Sequence, residues 1–306
     1  MRPVFKWNLG ARRIELGRRT LVMGVLNVTP DSFSDGGKFN SVDEAVQQGL
    51  RLVEEGADFL DIGGESTRPG VSVAGERAVT AAEEMARVVP VIEGIKKANR
   101  EICISIDTYK AEVARAAAGA GAEIVNDVSG MTWDPGMAAT ASSLACGVVL
   151  MHTRGKPGDW RDLPPEPRIV QVVQHELHET VQRVIGAGVQ HDRIVVDPGF
   201  GFGKRFENNY PLLQKFEDLH SMGFPLMVGL SRKSFLGRTA GIRFKGDLGP
   251  QERLHPSIAA AVIAAIKGAH IVRTHDVHPT VEALAIADAV LDDGGQSGNP
   301  WFDAYS

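Results

Sequence analysis

Eight short apolar segments recur along the chain, and a stretch with helical periodicity follows each of them. We predict strands at residues 21–26, 59–62, 102–106, 124–126, 148–151, 194–196, 226–230 and 271–273. The helical stretches lie near residues 42–55, 75–98, 109–118, 134–145, 168–187, 207–222, 254–267 and 279–292. The strand segments are apolar at nearly every position, as in strands covered on both faces, whereas a half-exposed strand alternates. The pattern predicts a parallel sheet covered by helices.

The first helical stretch shows why these segments are interpreted as helices. Its apolar residues follow an i, i+3, i+4, i+7 pattern from Val42 to Val53, with Ser41 as predicted N-cap, Glu44 three residues later, and Gly56 at the end. Gly-Ala pairs stand shortly before three of the strands, at 56–57, 121–122 and 268–269. A glycine at that place is typical of a helix C-cap, so the pairs indicate a repeated strand–helix unit.

Eight such units predict a (β/α)₈ TIM barrel, which at about 250 residues fits within a 306-residue chain. An open doubly wound sheet is the alternative, but no GxGxxG sequence follows the first strand. Two smaller domains are the competing domain count. We expect residues 1–17 to form a β-hairpin, with a turn at 8–10, that plugs the bottom of the barrel. The barrel is then assigned to residues 18–293, and the Gly/Ser-rich residues 294–306 to a loosely held tail.

Composition excludes several functional classes. The formal net charge is −5 and the pI is about 6.0, which argues against broad binding to nucleic acid or anionic membranes. The N-terminus has no secretory apolar segment, and no run approaches the roughly 20 apolar residues of a membrane span, so we predict a cytoplasmic protein. Cys103 and Cys146 show no CxxC or metal-ligand spacing and are interpreted as buried apolar residues.

Polar residues stand at or just after the ends of the predicted strands. They are Asn27, Asp61, Asp107, Asn126, Asp197, Lys233, Arg273 and His275. Any one of them could simply begin a turn or cap a helix. Together they favour an active site, because the carboxyl ends of barrel strands converge on one mouth. Lys233 and Arg273 follow strands seven and eight, where barrels frequently bind phosphate.

Residues 21–37, LVMGVLNVTPDSFSDGG, resemble the first signature of the dihydropteroate synthase family. Further blocks in the same order resemble that family: DIGGESTRPG at 61–70, Asp107, NDVSG at 126–130, DPGFGFG at 197–203, SRKSFLG at 231–237 and RTHDV at 273–277. Glycine-rich turns are common, so one block alone would be weak. The ordered set, over residues 18–292, is highly specific. Thr153 departs from the methionine that the family commonly shows there, and the role of His152 beside it is ambiguous.

The resemblance implies that 6-hydroxymethyl-7,8-dihydropterin diphosphate condenses with 4-aminobenzoate, with Mg²⁺ as cofactor and Asn27 as its protein ligand. It implies a pterin site made of Asp107, Asn126, Asp197, Lys233, Met151 and Arg273. It implies a 4-aminobenzoate site made of Phe33, Thr67, Arg68, Pro69, Phe202 and Ser234, the last at the start of the seventh helix. It implies a diphosphate site made of Asn27, Arg68, Arg273 and His275. The catalytic residues would be Asp107, Lys233, Asn27 and Arg273.

Other interpretations stay open at this point. A pterin-dependent methyltransferase on the same barrel would keep Asp107, Asn126 and Asp197 but would not need residues 29–37 or 231–234, which are present. A non-catalytic pterin-binding paralogue would be expected to lack a cation or a carboxylate, and none is missing. The resemblance also implies inhibition by sulfonamides and a homodimer. The dimer would form through an apolar stripe on the last helix (Val281, Leu284, Ala287, Leu291), although such a stripe is equally typical of a core face.

One further motif lacks a role. GFGFGK at 199–204 looks like a phosphate-binding loop, but it does not have the four-residue gap of G-x-x-x-x-G-K. Arg205 also stands where such a loop needs Ser or Thr. The sequence therefore argues against a nucleotide-binding loop here.

Overall fold

The eight predicted strands form one parallel sheet in a computed structural model that describes residues 2–29, 38–65, 79–160, 162–244 and 246–292. The strands are β3 (Leu21–Asn27), β4 (Phe59–Gly63), β5 (Cys103–Asp107), β6 (Ile124–Asp127), β7 (Gly147–Met151), β8 (Ile194–Asp197), β9 (Met227–Gly229) and β10 (Ile271–Thr274). Their order is β8-β7-β6-β5-β4-β3-β10-β9, and a parallel bridge between Val196 and Leu226 joins the two ends. The sheet therefore closes into the predicted barrel.

Helices surround the sheet. They are α1 (Lys38–Glu54), α2 (Ala81–Ala98), α3 (Ala111–Ala120), α4 (Met137–Leu144), α5 (Ile169–Gly186), α6 (Phe206–Gln214), α7 (Ser234–Gly241), α8 (Leu254–Ile266) and α9 (Val277–Leu291). The larger core cluster fills the space between sheet and helices with residues such as Leu26, Leu60 and Ile95. Within the described ranges, no helix is both long and apolar enough to cross a bilayer.

Several predicted helix ends were wrong. Helix α1 begins at Lys38, so Ser41 lies inside it and is not its N-cap. Helix α2 begins at Ala81, because Thr80 caps it in a reciprocal capping box with Glu83. The predicted helix at 207–222 divides into α6 and a 3₁₀ helix over Phe216–Met222. Helix α7 was missing from the predicted helical stretches, since its eight residues include two glycines and are too short for a sustained pattern.

The three Gly-Ala pairs end helices in the same way. Gly56, Gly121 and Gly268 have φ of 102°, 116° and 96°, a left-handed conformation that glycine adopts without steric cost. In each case the N–H of the following alanine bonds to a carbonyl five residues earlier, at 2.9–3.0 Å. This bond is part of the Schellman motif. The predicted repeat is confirmed.

The N-terminal hairpin consists of β1 (Phe5–Asn8) and β2 (Arg13–Leu16), paired antiparallel with Phe5 opposite Leu16. Its apolar side chains join the residues that point into the barrel from the amino-terminal part of the strands, in a cluster that includes Trp7, Leu16, Met23 and Phe59. The Trp7 indole also donates a hydrogen bond of 2.8 Å to the Arg193 carbonyl. The hairpin thus plugs one end of the barrel, as predicted.

Two further predictions concern apolar residues. Cys103 and Cys146 are free and buried, and burial raises the pKa of their thiols to about 12 and about 11. On α9, Leu284 and Ala287 are buried in the core, so most of the stripe proposed for dimerisation is the ordinary core face. The exposed large apolar side chains of this helix are Ile286, Val290 and Leu291, of which only Leu291 belongs to the predicted stripe.

Candidate active site

The parallel register places the predicted polar residues on one rim of the barrel. Asn27 pairs with Gly63, Gly63 pairs with Asp107, and Asp107 pairs with Asn126 across neighbouring strands. Met151 pairs with Asp197 in the same way. Because all eight strands are parallel, these residues lie together at the carboxyl ends, where barrel enzymes bind substrates.

Arg273 lies at the centre of this rim. Its Nε donates to Asp61 Oδ2 at 2.6 Å, and its Nη2 donates to Asp107 Oδ2 at 2.7 Å. Asn126 donates to the same oxygen of Asp61 at 3.0 Å. Asp61 is fully buried, so it holds both Arg273 and Asn126 without being exposed itself. The sequence placed Asp61 at the mouth but gave it no role; in the structure it fixes two of the predicted site residues.

The environment of Asp107 makes its charge sensitive to pH. Burial raises the pKa of Asp107 to about 7, Arg273 opposes this shift, and the neighbouring charge of Asp61 adds to it. The short bond to the guanidinium favours the carboxylate form and so offsets only part of the effect of burial. A carboxylate with a pKa close to neutrality is typical of functional sites.

Asp197 and Lys233 form the other half of the rim. Asp197 Oδ1 accepts a hydrogen bond of 2.7 Å from the N–H of Gly199, and burial raises the pKa of Asp197 to about 6. The Lys233 ammonium lies 3.9 Å from the centre of the Phe202 ring, within the range of a cation–π contact. Burial, together with the charge of Arg273, lowers the pKa of Lys233 to about 7.

His275 lies beside β10 and is held by Ser231, whose Oγ is 2.9 Å from the Nδ1 of the ring. Burial, with Arg273 and Arg232 nearby, lowers the pKa of His275 to about 3, so the imidazole is neutral at physiological pH. Arg232 itself is engaged in a bidentate pair with Asp276, at 3.0 and 2.6 Å. His275 can therefore donate or accept a hydrogen bond but brings no positive charge.

The structure places the remaining predicted residues as follows. Ser234 begins α7, as the family resemblance implied, and Lys233 is the residue before it. Phe202 is in the loop after β8 and faces Lys233. Phe33, Thr67, Arg68 and Pro69 lie outside the described residues.

The chemistry of Asn27 fits a magnesium ion. Asn27 is the last residue of β3 and is partly exposed at the rim, and its amide oxygen is a hard ligand. Within the described ranges, no group of three or more His, Cys, Asp or Glu side chains could hold a metal. One protein oxygen completed by phosphates and water is the usual way in which Mg²⁺ binds.

His152 is not part of the Arg273 cluster. It is buried, and its Nε2 lies 2.8 Å from Glu176 Oε2 on α5. Burial lowers the pKa of His152 to about 4. It lines a polar cavity of about 330 Å³ together with Thr153 and Arg183, between β7 and α5.

Comparison with known proteins agrees with this geometry. The model of a family described as pterin binding enzyme matches residues 23–275. The dihydropteroate synthase of Escherichia coli is 43% identical over 270 residues, which cover 88% of this chain and 91% of that protein. The chain belongs to the dihydropteroate synthases. This family assignment confirms the resemblance inferred from the ordered blocks and identifies the chain as a transferase.

Solved structures of the family extend the likeness to three dimensions. Xanthomonas albilineans dihydropteroate synthase with 4-aminobenzoic acid is 43% identical, with a TM-score of 0.84 over 95% of this chain and 99% of that one. The Yersinia pestis dihydropteroate synthase with a sulfonamide drug complex is 40% identical, with a TM-score of 0.84 over 94% and 99%. The barrel and the order of its strands are therefore those of the dihydropteroate synthases.

Proposed function

We propose that this chain joins 4-aminobenzoate to the methylene carbon of 6-hydroxymethyl-7,8-dihydropterin diphosphate, forming 7,8-dihydropteroate and releasing diphosphate. The observation that carries the proposal is the cluster in which Arg273 bridges Asp61 and Asp107, with Asn126 on the same carboxylate. It brings fixed anions and a cation together at the mouth of a barrel whose family acts on pterins. A pterin diphosphate needs partners of both signs.

The pterin ring is assigned to the residues that surround Arg273. A pterin presents a guanidine-like edge of N–H donors, and an ionised carboxylate such as Asp197 can accept two of them. Asn126 offers a donor and an acceptor, and Met151 is buried at the end of β7 beside Asp197. Lys233 and Arg273 would flank the ring and face the diphosphate.

Charge develops when diphosphate departs. The C–O bond to the leaving group breaks with its electron pair on diphosphate, and the methylene carbon becomes cationic in conjugation with the ring. We assign Asp107 to stabilise this cation, as a preorganised anion does. The arylamine nitrogen then forms the C–N bond with its lone pair and loses a proton afterwards, so no general base is required. Mg²⁺, held by Asn27 and phosphate oxygens, would neutralise charge on the leaving group when bound.

The diphosphate site in this proposal consists of Asn27, Arg68, Arg273 and His275. Arginine can grip a phosphate through two parallel hydrogen bonds. The neutral imidazole of His275, oriented by Ser231, would contribute a hydrogen bond and no charge.

The second substrate is assigned to Phe33, Thr67, Arg68, Pro69, Phe202 and Ser234. Ser234 supports this assignment, since a hydroxyl at a helix N-terminus together with backbone N–H groups suits a carboxylate. The two solved relatives were determined with 4-aminobenzoic acid and with a sulfonamide drug complex, and we extend binding of both kinds of ligand to this chain, in this pocket.

We also propose a homodimer, formed by a surface that shares only Leu291 with the predicted stripe. Five branched aliphatic side chains are exposed on α8 and α9: Ile263, Ile266, Ile286, Val290 and Leu291. Exposed fractions of 37–72% for such residues on two adjacent helices fit an interface better than a free surface. Sedimentation of Val290→Asp would test this, because a charge in the interface should yield monomers. The cytoplasmic location stays a prediction.

One experiment tests the activity. Diphosphate release is measured with the pterin diphosphate and Mg²⁺, with and without 4-aminobenzoate, for wild type and Asp197→Asn. Release that depends on 4-aminobenzoate, with formation of dihydropteroate, supports the synthase. Methyl transfer, or pterin binding without turnover, would support one of the two alternatives.

A further inference from the structure

The motif GFGFGK, which the sequence left without a role, ends in a buried lysine. Lys204 is only 6% exposed, and its Nζ donates to three backbone carbonyls: those of Gly199 at 2.7 Å, His152 at 3.2 Å and Phe202 at 3.3 Å. A lysine ammonium has three N–H donors, while a neutral amine has two. Three carbonyl acceptors therefore fit the charged form, although burial lowers the pKa of Lys204.

The loop that Lys204 holds carries parts of the proposed pterin site. The N–H of Gly199 bonds to Asp197 Oδ1, and the ring of Phe202 lies under the Lys233 ammonium. The carbonyls of these same two residues are acceptors of Lys204. Lys204 thus hydrogen-bonds directly to Gly199 and Phe202, the residues that contact Asp197 and Lys233.

Tight packing explains why a long side chain performs this task. Gly199 has φ of +66°, and a Cβ there would lie 1.9 Å from the His152 carbonyl oxygen. At Gly203, with φ of +64°, a Cβ would lie 2.2 Å from the Arg154 carbonyl oxygen. The loop therefore rests directly on the chain that follows β7. The tip of a lysine can still donate to the buried carbonyls, which cost free energy if left unpaired.

Several charges surround this region. Asp197 faces the cations Lys204, Lys233 and Arg273 and accepts from the Gly199 N–H, all of which oppose the effect of burial on its pKa. Lys204 faces Asp197, Lys233, Arg154 and Glu176, and Glu176 in turn pairs with His152. Removing the charge of Lys204 would thus remove one of three cations that favour the Asp197 carboxylate.

We infer that Lys204 is a positioning residue of the pterin site: its ammonium fixes the loop at 199–204 and keeps Asp197 ionised as the acceptor of the pterin edge. This inference rests on the proposed role of Asp197. It goes beyond a packing role, because a lysine that only filled space would not affect the protonation of Asp197.

Calorimetry with a pterin that lacks phosphates, from pH 5 to pH 8, tests the inference. In the wild type, affinity should fall below about pH 6, where Asp197 takes up a proton. Lys204→Gln keeps N–H donors but loses the charge, and should move this midpoint up by about one pH unit. Affinity at pH 6 would then be about fivefold weaker, since about half of Asp197 is ionised at a pKa of 6 but about a tenth at a pKa of 7. Affinity at pH 8 should stay within about threefold of the wild type.

Two variants serve as controls. Lys204→Arg retains the charge and should leave the midpoint unchanged, and Lys215→Gln removes an exposed lysine after α6 and should change nothing. An unshifted midpoint in Lys204→Gln, or an equal loss at every pH, would overturn the inference. If Lys204→Gln does not fold, the ¹⁵Nζ resonance of Lys204 in the wild type reports whether the side chain is charged. A neutral amine at pH 7 would contradict the inference.

Asp197→Asn separates the two proposals. If it abolishes binding of the pterin while Lys204→Gln leaves the midpoint in place, only the role of Lys204 is wrong. If Asp197→Asn binds the pterin like the wild type, the pterin site is misplaced and both proposals fall.

Discussion

Replacing Asp107 by Asn is the most direct test of how the site accelerates the reaction. The amide keeps the size of the side chain and an oxygen that can accept from Arg273 Nη2, whose bond to Asp107 is 2.7 Å long. Arg273 also remains paired with Asp61. The change therefore removes one negative charge and little else.

The magnitude follows from the charge that is lost. Two unit charges about 4 Å apart attract by about 4 kcal/mol at an effective dielectric constant of about 20. Loss of one preorganised electrostatic group usually costs about 10²–10³ in turnover, or about 2.7–4 kcal/mol. Because the Asn dipole offsets part of the loss, we expect kcat to fall by about 10²–10³, with a smaller change in the dissociation constant of the pterin.

The pH profile gives a second readout. With the pKa of Asp107 near 7 and that of Lys233 near 7, the wild-type rate should rise as Asp107 ionises and fall as Lys233 loses its proton. Asp107→Asn should keep only the falling limb. Coupled assays of diphosphate release between pH 5.5 and pH 8.5 measure both. Wild-type turnover in the variant, or an unchanged rising limb, would refute the role of Asp107.

Stability measurements show whether the variant is merely unfolded. In the folded protein the pKa of Asp107 is about 7, above its value in the unfolded chain, so the folded state binds more protons between about pH 4 and pH 7. This carboxyl therefore makes the free energy of unfolding decrease as the pH rises through that range. In Asp107→Asn the free energy of unfolding should not show this decrease. Urea denaturation at pH 8 should find the variant at least as stable as the wild type.

Three further outcomes are expected. In calorimetry, Lys233→Ala and Arg273→Ala should weaken binding of the pterin diphosphate more than binding of a pterin without phosphates. Equal losses for the two ligands would place these cations away from the diphosphate. Arg273→Ala should also lower the free energy of unfolding by about 3–5 kcal/mol, because Asp61 stays buried without its ion-pair partner. Sulfonamides should compete with 4-aminobenzoate in steady-state kinetics, and a non-competitive pattern would contradict the shared pocket. Gly199→Ala should lower the melting temperature strongly, since its Cβ would overlap the His152 carbonyl, whereas Gly186→Ala, in open space, should not.

The strands were predicted to within about two residues because burial on both faces leaves an unambiguous signal. From 21 to 26, every position is apolar or glycine, and the observed strand adds only Asn27. The Gly-Ala pairs were equally informative, since a left-handed C-cap strongly prefers glycine. Helix starts were less predictable: α1 begins at Lys-Phe-Asn-Ser over 38–41, where a single apolar residue does not make a helical pattern.

The site was predicted as a set of residues, but its internal bonds were not. Arg273 and Asp61 are 212 positions apart, and nothing in either segment indicates that one pairs with the other. Asp61 looked like any strand-ending carboxylate before a Gly-Gly turn, and its burial appears only once the barrel closes. Lys204 was given no role from the sequence for a similar reason. Its motif resembles a loop that binds an external phosphate, whereas the ammonium binds carbonyls of its own chain.

The pairing of Arg273 with two carboxylates also bears on how the proposed site would favour the transition state. A mouth lined only by cations would hold the diphosphate as tightly before bond cleavage as during it, and such uniform binding does not raise kcat. In this structure, Asp61 and Asp107 share the guanidinium of Arg273. If this guanidinium faces the diphosphate as proposed, the two carboxylates would weaken its attraction for the bound substrate. When the C–O bond breaks, positive charge appears on the methylene carbon and more negative charge on the leaving group. Asp107 then attracts the cationic carbon, and Arg273 attracts the departing diphosphate. Both interactions therefore strengthen only as the reaction proceeds.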